Sequence, residues 1–531
     1  MNNKDLLAQE ALAQIPKILT LLDRNPHSPT YGCFDRTFWQ YKVIDFPAGM
    51  SQEFVYPLAL AYHCNLPGNI FYQQPIISEW VEAGIMYAAR SSHSNGSCDD
   101  YFPYERAAGA AAFSLLACIE SYSLMGLDNP TALNFFQLRA DWLAGHQESG
   151  RLSNHQALIV LCLELLGNLL KTDRWEKSKR ERLEQVLAWQ NPEGWFIEYE
   201  GCDPGYHTLT ISCLARVYEL NPNQKLKKAI SQAVKLAAQF VHPDGSYGGE
   251  YTSRNTYNFF PHGFELVGKW LPEALNINDR FLQGLSNNLG SCYSDDRIIG
   301  HHTWNYLLAW RDFISARPPL QPRPQGRFYL QEGGILIERR GNTELYLALN
   351  KGGVFKLFRD RKLVVSDTQF SLLVQQGNQQ KNAVGHLVDD YQIELEPDRI
   401  AISGHLGWAK QKQMTPFNLI VLRLVMLSVG RFFPNLIRRI LQKILITGKQ
   451  KSPYQFSREL SWQGSFWQVS DRLTAESWDN IISADIGGDR TSIYVVMSRT
   501  FQPGQLQPAL ALSDRLKNLN PGSSLNLTRN L

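Results

Sequence analysis

Three patterns that would assign the chain to a special class of protein are missing from its 531 residues. The net charge is only +3, which argues against a protein built to bind nucleic acid. The first 22 residues lack the apolar run and cleavage site of a signal peptide and resemble an amphipathic helix, which predicts a cytoplasmic protein. The cysteines show no CxxC pair or paired spacing and are predicted to be reduced core thiols; they are Cys33, Cys64, Cys98, Cys118, Cys162, Cys202, Cys213 and Cys292.

Helical periodicity dominates residues 1–316, and the helices repeat in register. Successive starts lie 52, 50, 52, 51 and 44 residues apart, with one more helix between each pair, so the unit is a helical hairpin. Six such hairpins form an (α/α)6 toroid, whether or not the ring is complete, and the inner helix N-termini meet at one mouth. The predicted inner starts are Gln52, Tyr104, Asn154, Tyr206, Tyr257 and His301.

The second half of the chain has a different pattern. Residues 317–327 are a proline-rich linker, since neither a helix nor a strand tolerates so many prolines. Beyond it the apolar period is two, with a turn at Gly341 and Asn342, which predicts an antiparallel β-sandwich over 328–531. One of its strands is TSIYVVMS, and the last 14 residues, NLNPGSSLNLTRNL, are predicted to be a disordered tail. The fold class is therefore α+β multidomain.

Residues 416–447 depart from the strand pattern. They are apolar and basic, and no Asp or Glu lies between Arg399 and Arg458. Two interpretations stay open: an interfacial helix that contacts an anionic inner membrane surface, or a helical insertion packed on the sandwich or the toroid. After Pro434 the apolar helical face holds Leu436, Ile437, Ile440, Leu441, Ile444 and Leu445, and the basic face holds Arg438, Arg439 and Lys443.

The predicted helix starts carry polar side chains that suit an anionic ligand. Asp203 is the expected N-cap and Pro204 the first helical residue, so Tyr206 and His207 fall in the first turn. Exposed amides and the helix macrodipole favour negative charge there, so the turn can hold a sugar carboxylate or stabilise a phenolate. A buried, hydrogen-bonded histidine is the alternative for His207.

A second helix start, Ser153-Asn154-His155-Gln156, matches a capping box. The box accounts for the serine and the glutamine but leaves Asn154 and His155 unexplained. We therefore treat Asn154 and His155 as candidate functional residues.

A toroid followed by a sandwich, with an Asn-His pair opening one inner helix and a Tyr-His pair opening the next, resembles the heparinase II/III-like polysaccharide lyases and their alginate-lyase relatives. The resemblance implies β-elimination in a uronate-containing polysaccharide. An Asn or His neutralises the carboxylate, a Tyr or His removes the C5 proton, and a Tyr protonates the leaving oxygen. Asn154 fits the first role as an amide donor, and Tyr206 is the candidate base.

A tyrosine base requires a nearby cation. Ionising it near pH 7 costs about 4 kcal/mol from a pKa of about 10, whereas a helix N-terminus supplies at most about 2 kcal/mol. We therefore expect Arg254 or a histidine (His155, His207 or His262) beside Tyr206, with Tyr257 or Tyr251 as the acid.

The remaining candidates line the predicted cleft. No cofactor is predicted, because the pattern of His386, Asp389, Asp390 and His405 only weakly echoes the sandwich metal site of some relatives; a structural zinc or calcium ion stays open. The expected partner is an acidic polysaccharide. The substrate-binding candidates are Tyr104, Glu105, Arg106, Tyr251, Asn255, His262, His301 and His302.

Two other functions fit the same pattern. A non-enzymatic glycan-binding or assembly protein of polysaccharide production at the membrane surface would explain the basic segment and the missing signal peptide. Toroids also host glycoside hydrolases, which use two carboxylates. The carboxylate candidates would be Asp100, Glu105, Glu198, Glu200, Asp203 and Glu250.

Overall fold

The computed structural model describes residues 3–199, 201–293, 298–409, 414–442, 449–490, 500–517 and 519–531. Several sequence-based predictions fall outside these ranges. They are the strand TSIYVVMS, the carboxylate Glu200, and the helix residues Lys443, Ile444 and Leu445.

The part before residue 312 is helical. The helix predicted at the N-terminus is divided in two, and Pro16 lies in the first turn of the second piece. In chain order the helices are α1 Asn3–Leu12, α2 Ile15–Leu21, α3 Arg36–Trp39, α4 Val55–His63, α5 Pro75–Ser91, α6 Ala108–Leu124, α7 Pro130–Gly145, α8 Ser153–Leu170, α9 Glu176–Ala188, α10 Pro204–Leu220, α11 Gln224–Ala237, α12 His262–Gly268, α13 Glu273–Ser286 and α14 Ile299–Arg311.

Six inner helices form a closed ring. Helices α4, α6, α8, α10, α12 and α14 each pack against the next, and α14 packs against α4. Helices α5, α7, α9, α11, α13 and α1 surround them. Because this outer shell covers them, α6 and α10 are buried on nearly all sides. The predicted toroid is confirmed, and its ring is complete.

Of the six predicted inner helix starts, those of α8, α10 and α14 are right and two others are wrong. Gln52 lies in a short 3-10 helix, Gly49–Phe54, that runs directly into α4. α6 begins at Ala108, after Tyr104 and Arg106, which have positive φ angles of 60° and 52°. Asp99 accepts hydrogen bonds from both of their amides, which holds a loop where a helix was expected. Tyr257 likewise precedes α12, which begins at His262.

The capping box predicted at the start of α8 is wrong. The Ser153 hydroxyl donates to the Ile197 carbonyl at 2.7 Å, and Gln156 Oε1 accepts from Arg182. Both side chains therefore bind neighbouring elements, and the N-cap residue Leu152 makes no side-chain capping hydrogen bond.

Residues 312–325 form neither helix nor strand. Beyond them the chain builds two antiparallel sheets. Two separate two-stranded ribbons pair β1 with β2, before α10, and β3, before α14, with β16. In chain order the strands are β1 Ile197–Glu198, β2 Gly201–Cys202, β3 Cys292–Tyr293, β4 Gly326–Leu330, β5 Ile335–Arg340, β6 Thr343–Ala348, β7 Val354–Arg359, β8 Lys362–Asp367, β9 Phe370–Gln376, β10 Gln379–Val384, β11 Gln392–Leu395, β12 Arg399–Trp408, β13 Lys451–Trp462, β14 Trp467–Thr474, β15 Ile481–Ile486, β16 Thr500–Phe501, β17 Leu510–Ala511 and β18 Ser524–Asn530.

The first sheet runs from β4 to β8, and its central strands, β5 to β7, are buried on both faces. One face, which includes Leu345 and Phe355, shares a core with the second sheet, and the other, which includes Ile337 and Phe358, packs into the toroid core. The second sheet runs β17-β15-β9-β10-β12-β13-β14-β18, with β11 beside β12. The predicted sandwich is confirmed, and its first sheet carries the contact between the domains.

Three details of the sequence-based picture have clear outcomes. The turn at Gly341 and Asn342 joins β5 to β6, as predicted. The predicted disordered tail is wrong, because Ser524–Asn530 is β18, paired with β14. Seven of the eight cysteines are free and buried, and Cys292 is exposed.

The segment between β12 and β13 contains α15 Pro416–Leu427 and α16 Pro434–Gln442, and a short helix α17 Ser513–Leu516 follows β17. We call residues 414–442 the insertion. No helix among the described residues is long and apolar enough to cross a bilayer.

Arg458 forms a fully buried charge cluster inside the sandwich. Its guanidinium contacts Asp471 at 2.6 Å and Asp367 at 3.0 Å, and Arg529 contacts both carboxylates at 2.7 Å. We expect Arg458→Met to lower the free energy of unfolding by about 3–5 kcal/mol, because it leaves two buried carboxylates with Arg529 as their one cation. Urea denaturation followed by tryptophan fluorescence measures the change.

The matched control is Arg399→Met at the exposed end of the same strand pair, where Arg399 bonds Glu459 and Glu394. Water and salt screen these pairs, so the control should leave the unfolding midpoint nearly unchanged. Equal effects of the two substitutions would contradict the role given to Arg458.

Candidate active site

Asn154 lies in the first turn of α8 and is bonded to Glu198. Its backbone N–H donates to Glu198 Oε1 at 2.8 Å, and its Nδ2 donates to Oε2 at 2.9 Å. Glu198 belongs to the β1–β2 hairpin that leads into α10, so the pair joins two neighbouring inner helices. Asn154 Oδ1 is buried and has no partner among the described residues.

Glu198 is fully buried, and burial raises its pKa to about 8 despite the two hydrogen bonds from Asn154. Asp203 raises the pKa further, and Arg254 lowers it. Glu198 therefore holds a proton at neutral pH. A carboxyl group that stays neutral near pH 7 is a feature typical of catalytic sites.

His155 follows Asn154 and belongs to a chain of hydrogen-bonded polar side chains. His155 Nδ1 lies 2.7 Å from Glu148 Oε2, and Arg438 of the insertion contacts Glu148 at 2.8 Å and Glu105 at 3.1 Å. His155 and Arg438 lower the pKa of Glu148 to about 2 against the effect of burial. Glu148 is thus a fixed anion that orients the imidazole.

Arg254 lies in the neighbourhood of Tyr206. The Arg254 guanidinium donates to the Tyr199 carbonyl, covers the Tyr199 ring at 4.6 Å, and is close enough for its charge to interact with Tyr206. Nevertheless, burial raises the pKa of Tyr206 well above its ordinary value, and Tyr199 and Asp203 add to the rise. The environment favours a neutral hydroxyl, which argues against the phenolate expected of Tyr206 as a base.

His207 and His262 have structural roles. His207 Nε2 lies 2.9 Å from the Ala233 carbonyl of outer helix α11, its Nδ1 accepts from the Phe196 amide, and burial lowers its pKa to about 4. His262 bonds Asp312, directly after the C-terminal end of α14, whereas the mouth lies at the N-terminal end. The catalytic prediction for His207 and the cleft prediction for His262 are therefore wrong.

Three further candidates lie where the toroid meets the sandwich. The Tyr257 hydroxyl donates to Asp489 at 2.6 Å, and the Tyr251 hydroxyl bonds His242 at 3.0 Å. Asn255 Oδ1 accepts from Lys351 of the sandwich. All three side chains are at most 1% exposed, so Tyr257 and Tyr251 are corrected from candidate acids, and Asn255 from a substrate ligand, to residues that fix the domain contact.

The remaining cleft candidates surround the mouth. Tyr104 stacks on His93, and Arg106 follows it in the loop before α6. His301 Nδ1 contacts Glu53 at 3.1 Å and stacks on Phe113, and the neighbouring His302 stacks on Phe260. The rings of His301 and His302 lie 5.4 Å apart, and both stack on Phe260.

The carboxylate candidates for a hydrolase and the metal-ligand candidates of the sandwich bind other parts of the protein. Asp203 caps α10 by accepting from the Tyr206 amide at 3.2 Å, which confirms the predicted N-cap. Glu250 lies at the domain contact beside Tyr257. Asp389 and Asp390 pair with lysines, and the described residues include no group of three His, Cys, Asp or Glu side chains placed to hold a metal.

Sequence reasoning missed Glu148, Tyr199, Arg438 as a site residue, and Glu53. Glu148 lies seven residues before His155, in the loop between α7 and α8. A carboxylate so close in sequence to a candidate histidine could have been predicted to bind it. Arg438 is 290 residues from Glu148 in the chain, and nothing in the sequence joins the two.

Comparisons with known proteins identify the fold. No protein-family model and no curated protein matches the chain. The structure is similar to that of the chondroitin AC lyase of Streptomyces coelicolor A3 in complex with chondroitin sulphate, with a TM-score of 0.57 and 10% identity. The match covers 91% of this chain and 67% of that chain. A tyrosine-to-alanine mutant of the same lyase gives a TM-score of 0.53 at 9% identity, with the same shares. The chain has the toroid and sandwich fold of these lyases.

The raised pKa of Glu198 predicts a pH effect on stability. Its pKa is about 8 in the folded protein and 4.5 in the unfolded chain. Between these pH values the native state keeps a proton that the unfolded state loses. The free energy of unfolding therefore falls as the pH rises from 4.5 to about 8. The glutamine of Glu198→Gln cannot ionise, and it can still form a hydrogen bond with the Asn154 side chain if the Asn154 amide rotates by about 180° to present its oxygen. We expect the variant to be more stable than the wild type at pH 8 by a few kcal/mol, and equally stable near pH 4.

Urea denaturation at several pH values measures this difference. Glu184→Gln, at an exposed pair with Lys225, is the control and should show no such trend. A difference between Glu198→Gln and wild type that does not change with pH would contradict the assignment.

Proposed function

We propose that the protein is a polysaccharide lyase that cleaves a uronate-containing acidic polysaccharide by β-elimination. The observation that carries the proposal is the Glu148–His155 pair next to Asn154 at the mouth end of α8. The fold shared with chondroitin AC lyase supports it. Membership of the heparinase II/III-like family is part of the proposal.

His155 is the base in this proposal. Its Nδ1–H donates to Glu148, which leaves the Nε2 lone pair to accept the C5 proton. The ring lies directly on Gly109 of α6, where a Cβ would come within 2.7 Å of Nε2, so the small residue makes room for it. Its side chain is 17% exposed, whereas Tyr206 is 7% exposed, so His155 is the more accessible of the two.

Arg254 supplies the positive charge for the substrate carboxylate, and Asn154 supplies the second N–H of Nδ2, since only one of the two is needed for the bond to Glu198. The C5 proton becomes acidic only when that carboxylate is neutralised, so donors must point to where the enolate charge develops. Tyr206, kept neutral by burial, is then suited to donate its proton to the leaving oxygen.

Substrate entry requires a movement of the insertion. In this conformation Arg438 covers Glu148 and Glu105, and each of the three side chains is at most 10% exposed. An acidic polymer can compete with these carboxylates for Arg438, because uronate and glutamate offer the same bidentate partner to a guanidinium.

The second candidate is a glycoside hydrolase, favoured by the proton that Glu198 holds near neutral pH. A carboxylic acid with a raised pKa is the general acid of many glycosidases. The non-enzymatic glycan-binding protein and a link to exopolysaccharide or capsule production are further proposals. The cytoplasmic location remains a prediction, as does the contact of residues 416–447 with an anionic membrane. The proposed reaction requires neither of them.

The lyase proposal predicts an ultraviolet-absorbing product. Incubation with chondroitin sulphate, hyaluronan, heparin or alginate should yield a C4–C5 unsaturated sugar from at least one polymer. New reducing ends without the chromophore would contradict the lyase and support the hydrolase. Tight binding without either product would support the glycan-binding protein.

Substitutions on the active polymer separate the proposed roles. His155→Ala and Tyr206→Phe should each lower kcat by about 10²- to 10⁴-fold, because each removes a proton-transfer group. Tyr257→Phe is the control, since its hydroxyl bonds Asp489 at the domain contact, and it should keep its turnover. Initial rates of absorbance measure the effect, and near wild-type turnover in His155→Ala would contradict the proposed base.

A further inference from the structure

The insertion exposes an unusual amount of apolar surface. Of the 28 exposed large apolar side chains among the described residues, 13 lie within residues 414–440. Phe417 is 73% exposed, Phe432 67% and Phe433 58%. The other ten are Met414, Leu419, Ile420, Val421, Leu424, Val425, Leu427, Val429, Leu436 and Ile440. A contiguous apolar patch on an otherwise polar surface marks an interaction site.

The opposite side of the insertion is attached to the toroid by polar contacts. Arg438 bonds Glu105 and Glu148, Asn435 Nδ2 donates to the Gln147 carbonyl at 3.3 Å, and Arg423 pairs with Asp45 at 3.1 Å. The usual arrangement of an amphipathic helix is therefore reversed. The polar contacts face the protein, and the apolar side chains face outward.

The charge of residues 400–457 indicates which kind of partner binds the exposed apolar face of the insertion. Residues 400–457 contain nine Lys and Arg and no Asp or Glu. Toroid and sandwich carboxylates pair with four of these cations: Arg423, Arg438, Lys449 and Lys451. Arg431 and Arg439 are exposed beside the apolar patch and form no ion pair with a described residue. Apolar side chains flanked by unpaired cations complement an anionic lipid surface.

We propose that the insertion docks on an anionic lipid surface and lies in its plane. Helix α15 has 12 residues and is about 18 Å long, short of the roughly 30 Å hydrocarbon core, so it lies in the interface and does not cross it. A second copy of the chain is a poorer occupant. A two-fold contact would bring Arg431 and Arg439 of both copies together with no acidic residue of the segment to offset them.

Vesicle co-sedimentation of the full chain tests the proposal. Binding to vesicles of 30% phosphatidylserine in phosphatidylcholine should exceed binding to pure phosphatidylcholine by at least tenfold, and 0.5 M NaCl should weaken it. Phe417→Ser with Phe432→Ser and Phe433→Ser should abolish it. Arg431→Ala with Arg439→Ala should weaken it by on the order of tenfold or more.

These five side chains lie outside the candidate active site, so the result is independent of the lyase proposal. Leu506→Ser, at another exposed apolar residue (73% exposed), is the control and should bind like the wild type. Failure to bind the anionic vesicles, or equal binding to both vesicle types, would overturn the proposal. Concentration-dependent dimers in analytical ultracentrifugation that the Phe substitutions abolish would overturn it in favour of a second copy.

Discussion

The chain of hydrogen-bonded side chains from Glu105 through Arg438 and Glu148 to His155 connects most of what the structure implies about function. It joins the sandwich insertion to the mouth of the toroid, and it fixes the imidazole that the proposed chemistry uses. Burying charges costs free energy, and removing one member leaves the others uncompensated, so the chain holds together as a unit. The two domains therefore contribute to one site.

Burial, rather than the helix macrodipole, decides which side chains can transfer protons. It keeps Tyr206 neutral and holds a proton on Glu198, even though a helix N-terminus and Arg254 both favour negative charge nearby. Glu148 shows the opposite outcome, because its contacts with His155 and Arg438 outweigh the cost of burial. The most accessible proton acceptor of the cluster is consequently the histidine and not the tyrosine.

The regular part of the fold was predictable from the sequence, and the site was predictable only in part. The fifty-residue register located three inner helix starts because caps and prolines such as Asp203 and Pro204 act locally. It failed at Tyr104, where Asp99 holds a left-handed loop that no periodicity reveals. Tyr257 and Tyr251 resembled cleft residues because the register placed them near the mouth, but contact with the sandwich buries them. Arg438 could not be predicted, since its partners lie about 300 residues away in the chain.

The central claim is that a uronate polymer binds at the mouth of the toroid with its C5 proton facing His155. The most direct measurement is a crystal structure of the His155→Asn variant with a uronate oligosaccharide. The account predicts a sugar carboxylate within hydrogen-bond distance of Asn154 and Arg254, and C5 within about 3.5 Å of the residue 155 side chain. An oligosaccharide bound outside the ring, or one whose C5 faces another side chain, would contradict it.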